Sequence, residues 1–179
     1  FSGCWRYFNS SLNHWDVSNV TNMSYMFQGC REYNQSLNNW DVSNVTDMNE
    51  MFNGCRKFNQ PLNSWDVGSV INMRAMFASC KLFNQHLDNW DVSNVLNMDY
   101  MFDWDTAFNG KLNGWNFNPS VSIYQLLGSC YNFNQPLNNW KTTNFRDISW
   151  EQDLTEKKYT DVDTLSAAAC AGGACEIDF

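Results

Sequence analysis

A repeat with a constant period of 25 residues constrains the fold of this chain more than any other feature of its sequence. Close copies of LNNWDVSNV begin at positions 12, 37, 62 and 87, and altered copies begin at 112 and 137. A fixed period of about 20 to 50 residues is typical of a stack of equivalent coils, each of which contacts only its neighbours. Leucine and tryptophan each form an unbroken column at this period: Leu12, Leu37, Leu62, Leu87, Leu112, Leu137 and Trp15, Trp40, Trp65, Trp90, Trp115, Trp140. Because no insertion interrupts the columns, we expect equivalent residues to lie on top of each other.

The spacing of apolar residues inside one coil predicts its secondary structure. Leu37, Trp40 and Val42 follow the pattern of a short strand, with Trp40 and Val42 facing inward. The next apolar residues fall at helical intervals and predict about three turns of helix with one apolar face: Val45, Met48, Met51, Phe52 and Cys55. The predicted fold class is therefore α/β, a right-handed leucine-rich-repeat-like solenoid with one short parallel strand and one short helix per 25-residue coil.

The extent of the repeat divides the chain into two regions. Residues 1–150 are predicted to form a six-coil solenoid that opens within a coil, and residues 151–179 an acidic C-terminal cap or tail with 7 acidic and 2 basic residues. Phe1 to Cys4 resemble the end of a coil shifted by one residue, and the first complete coil follows without a polar cap. Because an uncapped solenoid exposes its core, we expect upstream residues or another molecule to cover this edge.

The composition favours a folded protein without enzyme activity. Aromatic residues make up 16% of the chain, charged residues 17%, and the net charge is −8, which argues against a disordered tail and against nucleic-acid binding. His14 and His86 are the only histidines, and neither lies near a nucleophile or a set of metal ligands in the sequence. We find no Gly-rich phosphate loop and no apolar run long enough to span a membrane. The sequence therefore predicts no catalysis, no cofactor and no membrane span.

Four aspartates stack at the repeat period on the face opposite the inward residues: Asp16, Asp41, Asp66 and Asp91. Carboxylates at sheet spacing repel each other, so backbone N–H groups, solvent or a cation must offset their charge. Hydrogen bonding to a helix start or to the next turn is the structural interpretation, and calcium or a basic partner is the functional one. Since no known calcium loop matches, we predict no metal and keep the four aspartates as binding candidates.

Asparagine forms a further column, which predicts a ladder of buried amides at one turn of each coil: Asn9, Asn34, Asn59, Asn84, Asn109 and Asn134. Side-chain amides in such a column can satisfy backbone groups coil after coil, so we interpret it as structural. Sequons place candidate glycans on Asn19, Asn22 and Asn44, of which Asn19 and Asn44 lie at strand-to-helix corners. Because these are repeat residues, we expect a glycan only if the source is eukaryotic.

The seven cysteines fall into two groups. Those of the repeat end the predicted helices and are expected to be buried thiols: Cys4, Cys30, Cys55, Cys80 and Cys130. Cys170 and Cys175 lie outside the period and are candidates for a disulfide in an oxidising compartment, with Cys130 as the alternative partner of either. Asp103 and Asp105 interrupt the cysteine column, and we interpret this pair as a solvated turn.

The repeat pattern FNQxLNxWDVSNVTxMxxMFxGC resembles that of the BspA-like leucine-rich-repeat surface proteins over residues 1 to about 150. The resemblance implies an extracellular or cell-surface location and a role in adhesion or protein interaction, and it implies no catalytic residue. The fifth coil departs from the pattern, because Asn116, Phe117 and Leu126-Leu127 replace its usual residues.

Two functions of different classes remain open at this point. The first is a structural protein that assembles head to tail, through its open edge, into a fibre or surface layer made of copies of itself or of another surface protein. The second is an adhesion module whose strand face binds a protein or a glycan, with the aspartate column flanked by His14, Asn39, Ser64 and Asn89. The near-identity of the coils favours the structural role, since a selective surface would differ from coil to coil.

Overall fold

A computed structural model describes residues 7–140 of the chain. These residues contain five complete coils, which begin at Leu12, Leu37, Leu62, Leu87 and Leu112 and are followed by the start of a sixth. The predicted C-terminal cap, the candidate disulfide of Cys170 and Cys175, and Cys4 lie outside the described residues.

The prediction of an α/β leucine-rich-repeat-like solenoid with one strand and one helix per coil is wrong. Residues 7–140 contain no helix and no extended strand. Sheet pairing among them is limited to single parallel bridges that join one residue of each coil to its equivalent in the next: Asn22, Asp47, Asn72, Asn97 and Ser122. Each coil is therefore made of turns and short connections.

Six tight turns, each closed by a hydrogen bond from the N–H of its fourth residue to the C=O of its first, build the second coil. They span residues 37–40, 42–45, 48–51, 50–53, 52–55 and 55–58, with N···O distances of 2.9–3.2 Å. The three turns between 48 and 55 overlap, which places apolar side chains at the same intervals of three and four residues that a helix would produce. This shared spacing explains why the sequence indicated a helix here.

A helix does not form because alternate N–H groups point to the next coil. In the second coil the N–H groups of four alternating residues donate to carbonyl oxygens of the third coil at 2.8–2.9 Å: Met48 to Asn72, Glu50 to Arg74, Phe52 to Met76 and Gly54 to Ala78. In an α-helix these donors would be used by carbonyls four residues back in the same segment. The chain therefore exchanges hydrogen bonds within a helix for hydrogen bonds between coils.

Two positions per coil have a positive φ, the conformation that allows the turns to overlap. The first column has φ between 49° and 59°, and the second between 55° and 76°: Tyr25, Glu50, Ala75, Tyr100, Gln125 and Gly29, Gly54, Ser79, Trp104, Ser129. Each of these residues is the third of its turn, where a type II turn requires positive φ. Gly54, one residue before the end of the predicted helix at Cys55, meets this requirement without steric cost.

Stacked aromatic rings fill the core. Phe27, Phe52, Phe77 and Phe102 lie on top of each other with ring centroids 5.4–5.6 Å apart and planes within 8°. A second column runs beside it at 5.8–6.1 Å between rings: Tyr33, Phe58, Phe83, Phe108 and Phe133. Full burial of each such side chain contributes about 2–3 kcal/mol. The core is therefore continuous along the stack.

The tryptophan column joins consecutive coils by a polar contact as well as by packing. Each indole N–H donates to the carbonyl oxygen of the leucine that begins the preceding coil, at 2.8–3.2 Å, from Trp40 to Leu12 through Trp140 to Leu112. Trp40 and Val42 are 3% and 1% exposed, which confirms the prediction that they face inward. The unbroken tryptophan and leucine columns of the sequence thus reflect one repeated contact between coils.

The fifth coil is adapted to its altered sequence. Phe117 replaces a valine of the other coils, and its ring lies edge-on to Trp115 and Trp140 at 5.9 and 4.8 Å. At its start the backbone approaches the fourth coil so closely that a Cβ atom at Gly114 would overlap the carbonyl oxygen of Asp88. The departure from the repeat pattern therefore changes local packing without interrupting the stack.

The positive φ column predicts opposite effects for two exchanges at equivalent positions. Gly54→Ser should lower the free energy of unfolding by about 1–2 kcal/mol, because a side chain is disfavoured at φ 76° although a Cβ there meets nothing closer than 3.7 Å. Ser79→Gly, at φ 60°, should raise it by up to about 1 kcal/mol. Urea denaturation of the full chain measures both, and equal effects of the two exchanges would contradict the role of backbone conformation.

Replacement of Tyr33 is a second substitution that we expect to stabilise the chain. Its hydroxyl is buried and has no hydrogen-bond partner among residues 7–140, and later coils have phenylalanine at this position. Tyr33→Phe should therefore raise the free energy of unfolding by about 1–2 kcal/mol, since an unsatisfied buried polar group is removed. Phe58→Tyr, one coil later, is the reciprocal control and should lower it. A loss of stability in Tyr33→Phe would show that the hydroxyl has a favourable contact.

Candidate functional site

The predicted aspartate column lies on the surface, and a short local network holds each carboxylate. In the first coil Oδ1 of Asp16 accepts the N–H of Ser18 at 3.0 Å and its hydroxyl at 2.6 Å. Asp41 and Ser43 repeat this arrangement at 3.1 and 2.6 Å. Asp66 and Asp91 accept the N–H of the residue two positions on, and all four aspartates are exposed. The carboxylates therefore close the turn that follows them in their own coil, and no helix is involved.

These hydrogen bonds favour the ionised form of the carboxylates. The hydroxyl of Ser18 and then its N–H hold the pKa of Asp16 below its usual value, and Ser43 does the same for Asp41, with the charge of Asp16 opposing in part. Within residues 7–140 no group of three or more His, Cys, Asp or Glu side chains could hold a metal ion. A role of the four aspartates in binding a basic partner remains a prediction.

The predicted asparagine ladder is confirmed, although it lies near the surface and not in the core. Oδ1 of each asparagine accepts the N–H of its equivalent one coil on, at 2.7–2.9 Å, from Asn9 to Asn34 through Asn109 to Asn134. A second asparagine column, not identified from the sequence, accepts backbone N–H groups on the face that was predicted to carry the strands. Oδ1 of Asn13 accepts the N–H of Asn39 at 3.0 Å, and the pairs Asn63–Asn89 and Asn113–Asn139 repeat this contact. Both columns join coils, so the asparagines of this face already have a structural use.

The three candidate glycosylation residues differ in the use of their side chains. Asn44 donates its amide N–H to the carbonyl oxygen of Ser18 at 2.8 Å, so a glycan on that nitrogen would replace a contact between coils. Asn22 accepts the N–H and the hydroxyl of Ser24 through its oxygen, at 2.8 and 2.6 Å. Asn19 is exposed and makes no side-chain hydrogen bond within the described residues. Glycosylation stays a prediction, and the geometry favours Asn19 as its site.

The cysteine column is buried, as predicted, for Cys30, Cys55, Cys80 and Cys130. The thiols of the last three donate to carbonyl oxygens of the preceding coil at 2.9–3.1 Å: Cys55 to Phe27, Cys80 to Phe52 and Cys130 to Phe102. Burial raises the pKa of these three thiols well above the usual value. Within the described part of the chain they are structural thiols.

The interpretation of Asp103 and Asp105 as a solvated turn is wrong for Asp105. This residue occupies the place of the missing cysteine in the fourth coil and is 0% exposed. Asp103 is half-buried, and its side chain lies against Gly128, where a Cβ atom would come within 2.6 Å of Oδ1. The position in the column, rather than the polarity of the residue, decides where Asp105 lies.

One exposed corner changes its chemistry along the stack. In the first two coils it is charged, with Glu32 and Lys57 forming an ion pair at 2.6 Å. In the third to fifth coils the segment that begins at the second positive φ position exposes large apolar side chains, which we call the side patch: Leu82 (53%, at the position of Glu32 and Lys57), Trp104 (57%, at the position of Gly29 and Gly54) and Tyr131 (52%, at the position of Arg31 and Arg56). Comparison of equivalent positions between coils could have found this change in the sequence. These three positions therefore differ between coils, whereas phenylalanine is constant in the central column of the core from Phe27 to Phe102.

The aspartate column generates a prediction about its titration. Ser43→Ala removes the hydroxyl that contributes most to the low pKa of Asp41, so this pKa should rise toward the ordinary value for aspartate. Carboxyl chemical shifts followed by NMR across acidic pH measure the change, and Ser93→Ala is the matched control that should leave Asp41 unaffected. An unchanged pKa of Asp41 in Ser43→Ala would show that the hydroxyl contact is not formed in solution.

Comparison with known proteins identifies the family but no activity. No curated protein and no solved structure matches the chain. No helix in the described residues is long and apolar enough to cross a membrane. One family model matches the chain twice, over residues 1–102 and 63–163, and so covers most of the chain. The chain therefore belongs to the family described as "Mycoplasma protein of unknown function, DUF285".

Proposed function

We propose that this chain is a non-enzymatic structural segment of an extracellular or cell-surface repeat protein, which extends by stacking one coil edge on another. The observation that carries the proposal is that the recurring residues of the repeat are used in contacts between coils. The resemblance of the repeat to BspA-like surface proteins supports the location.

The contacts between the second and third coils use groups that every coil of the repeat provides. Four backbone N–H groups of the second coil donate to the third coil, and Ile71 donates in return to Thr46 at 2.9 Å. Across the same junction, the indole N–H of Trp65 donates to the carbonyl oxygen of Leu37 at 3.2 Å, and Oδ1 of Asn59 accepts the N–H of Asn84 at 2.9 Å. Backbone groups and repeat residues make all of these bonds, so none depends on the position of a coil in the chain. One coil edge is therefore complementary to any other edge of the opposite end.

The first described coil has an exposed aromatic side chain at a position that is less exposed in the later coils. Tyr25 is 41% exposed. The equivalent residues of the following coils are buried or half-buried: Glu50, Ala75, Tyr100 and Gln125. We propose that a coil edge of another copy covers Tyr25, so that repeated head-to-tail contacts generate a fibre or a layer.

The side patch supports a second candidate function, adhesion to another protein. Exposed aromatic residues surrounded by polar surface are enriched where proteins contact each other. Trp104 has φ 59°, a conformation that is unusual for a large side chain, and the repeat places glycine at this position in the first two coils. A requirement of folding alone would therefore not select tryptophan here.

Substitution of Tyr25 tests the structural proposal. Tyr25→Lys in the full 179-residue chain should weaken self-association at least tenfold, because an ammonium group would replace aromatic surface at the docking edge. Sedimentation velocity across a concentration series measures the association constant. Ile71→Lys is the matched control, since Ile71 is 47% exposed on the side of the stack, and it should leave self-association unchanged.

Three outcomes separate the candidate functions. Wild-type chain that stays monomeric throughout the series would overturn the head-to-tail proposal. Association that survives Tyr25→Lys would contradict the assigned edge. Association that is lost in Trp104→Lys but retained in Tyr25→Lys would identify the side patch as the interface and favour the adhesion function.

A further inference from the structure

Asp105 is a buried carboxyl group without a hydrogen-bond partner for either side-chain oxygen within the described residues. It lies in the cysteine column, one coil from Cys80 on one side and one coil from Cys130 on the other. Neither of the ion pairs found in residues 7–140 includes it. A carboxylate in such a position would be strongly disfavoured, because a buried charge needs a partner.

The cysteines of the neighbouring coils show which hydrogen bond a side chain in this column makes. Each thiol donates its hydrogen to the carbonyl oxygen of the phenylalanine in the preceding coil, so Cys80 donates to Phe52 and Cys130 to Phe102. By the same spacing of 28 residues, the equivalent acceptor for Asp105 is the carbonyl oxygen of Phe77. That oxygen accepts the N–H of Cys80 at 3.0 Å and has a second lone pair for a donor. An ionised carboxylate has no hydrogen to donate there, but a neutral carboxylic acid does.

We propose that Asp105 is a proton-dependent element of the stack: it folds as the neutral acid, donates its O–H to the carbonyl of Phe77, and loosens the fourth coil when it loses its proton. The proton balance is simple, because the neutral acid releases one H⁺ to solvent and becomes an acceptor-only carboxylate facing an acceptor. No covalent bond changes.

Burial is the main reason why a negative charge on Asp105 is disfavoured. Cys80 and Cys130 face it from the neighbouring coils, and its charge in turn raises the pKa of both thiols. Asp103, in the same coil, is a further acid that also raises the pKa of Cys130. Burial raises the pKa of Asp105 to about 9, and the N–H of Ala107 opposes this shift only in part. No cationic side chain is among these neighbours.

The direction of the pH dependence follows from these neighbours. In the unfolded chain the pKa of an aspartate is about 3.9. Between that value and about 9 the folded state holds a proton that the unfolded state has lost, so stability falls as pH rises through this window. Below this window both the folded and the unfolded state are protonated at Asp105, and its contribution to the free energy of unfolding is fully present. The exposed aspartates with lowered pKa act in the opposite direction and at more acidic pH, so they do not overlap with this effect.

Asp105→Cys provides the test, because it restores the column without leaving a cavity or a charge. Urea denaturation of the full chain between about pH 5 and 8 should show that the unfolding equilibrium constant of wild type rises relative to Asp105→Cys, by up to about tenfold per pH unit. The ratio between the two proteins cancels the titration of all other groups. Asp91→Asn, at an exposed aspartate, is the matched control and should give a constant ratio to wild type.

A spectroscopic measurement keeps the proposal falsifiable if a variant does not fold. The infrared spectrum of wild-type chain at neutral pH should contain the C=O stretch of a protonated carboxyl group. Isotope labelling of aspartate identifies it, and the band should disappear as pH is raised above about 9. A constant stability ratio between wild type and Asp105→Cys, or a neutral-pH spectrum without a protonated aspartate, would overturn the proposal.

Discussion

The hydrogen bonds that run from one coil to the next are the interaction on which the rest of the structure depends. In the first four coils, alternate N–H groups close turns within the coil and the others reach the following coil. This division satisfies the backbone without a helix or an extended strand, which is the requirement that any buried segment must meet. It also fixes the spacing between coils, and this spacing allows aromatic rings to stack at 5.4–5.6 Å and indoles to reach the carbonyl oxygen one coil back.

The repeat period made the columns of this structure predictable, but not the path of the backbone between them. Trp40 and Val42 face inward and the asparagine ladder forms, because a constant period places equivalent residues in register. The helix predicted from Val45 to Cys55 is wrong, since intervals of three and four residues arise equally from three overlapping turns. Side-chain spacing carries no information on whether an N–H group points along its own segment or toward a neighbouring coil. The glycine at position 54 was consistent with both arrangements.

The candidate sites show the same limit at the level of single residues. The aspartate column was found, yet its hydrogen bonds to Ser18 and Ser43 depend on a turn that the sequence did not reveal. Asp105 was assigned to solvent because carboxyl groups are usually exposed, although its place in a column of buried thiols indicated the core. Position in a repeat therefore outweighs residue polarity when the neighbouring coils fix the backbone. The side patch arises where surface positions of the repeat vary, so it needed a comparison between coils and not a motif.

The direction of the bonds between coils has a mechanical consequence. Because these bonds lie along the stack, a force that pulls the two ends of the chain apart loads the bonds of each junction in tension. The junctions are arranged in series, so each one carries the same force. The weakest junction opens first and releases one coil of 25 residues, which extends to roughly 80–90 Å. Each release lowers the tension on the coils that remain. A stack of this kind would lengthen under load in equal steps and dissipate mechanical energy at each step. When the force is removed, it would refold coil by coil onto the edge that is still folded.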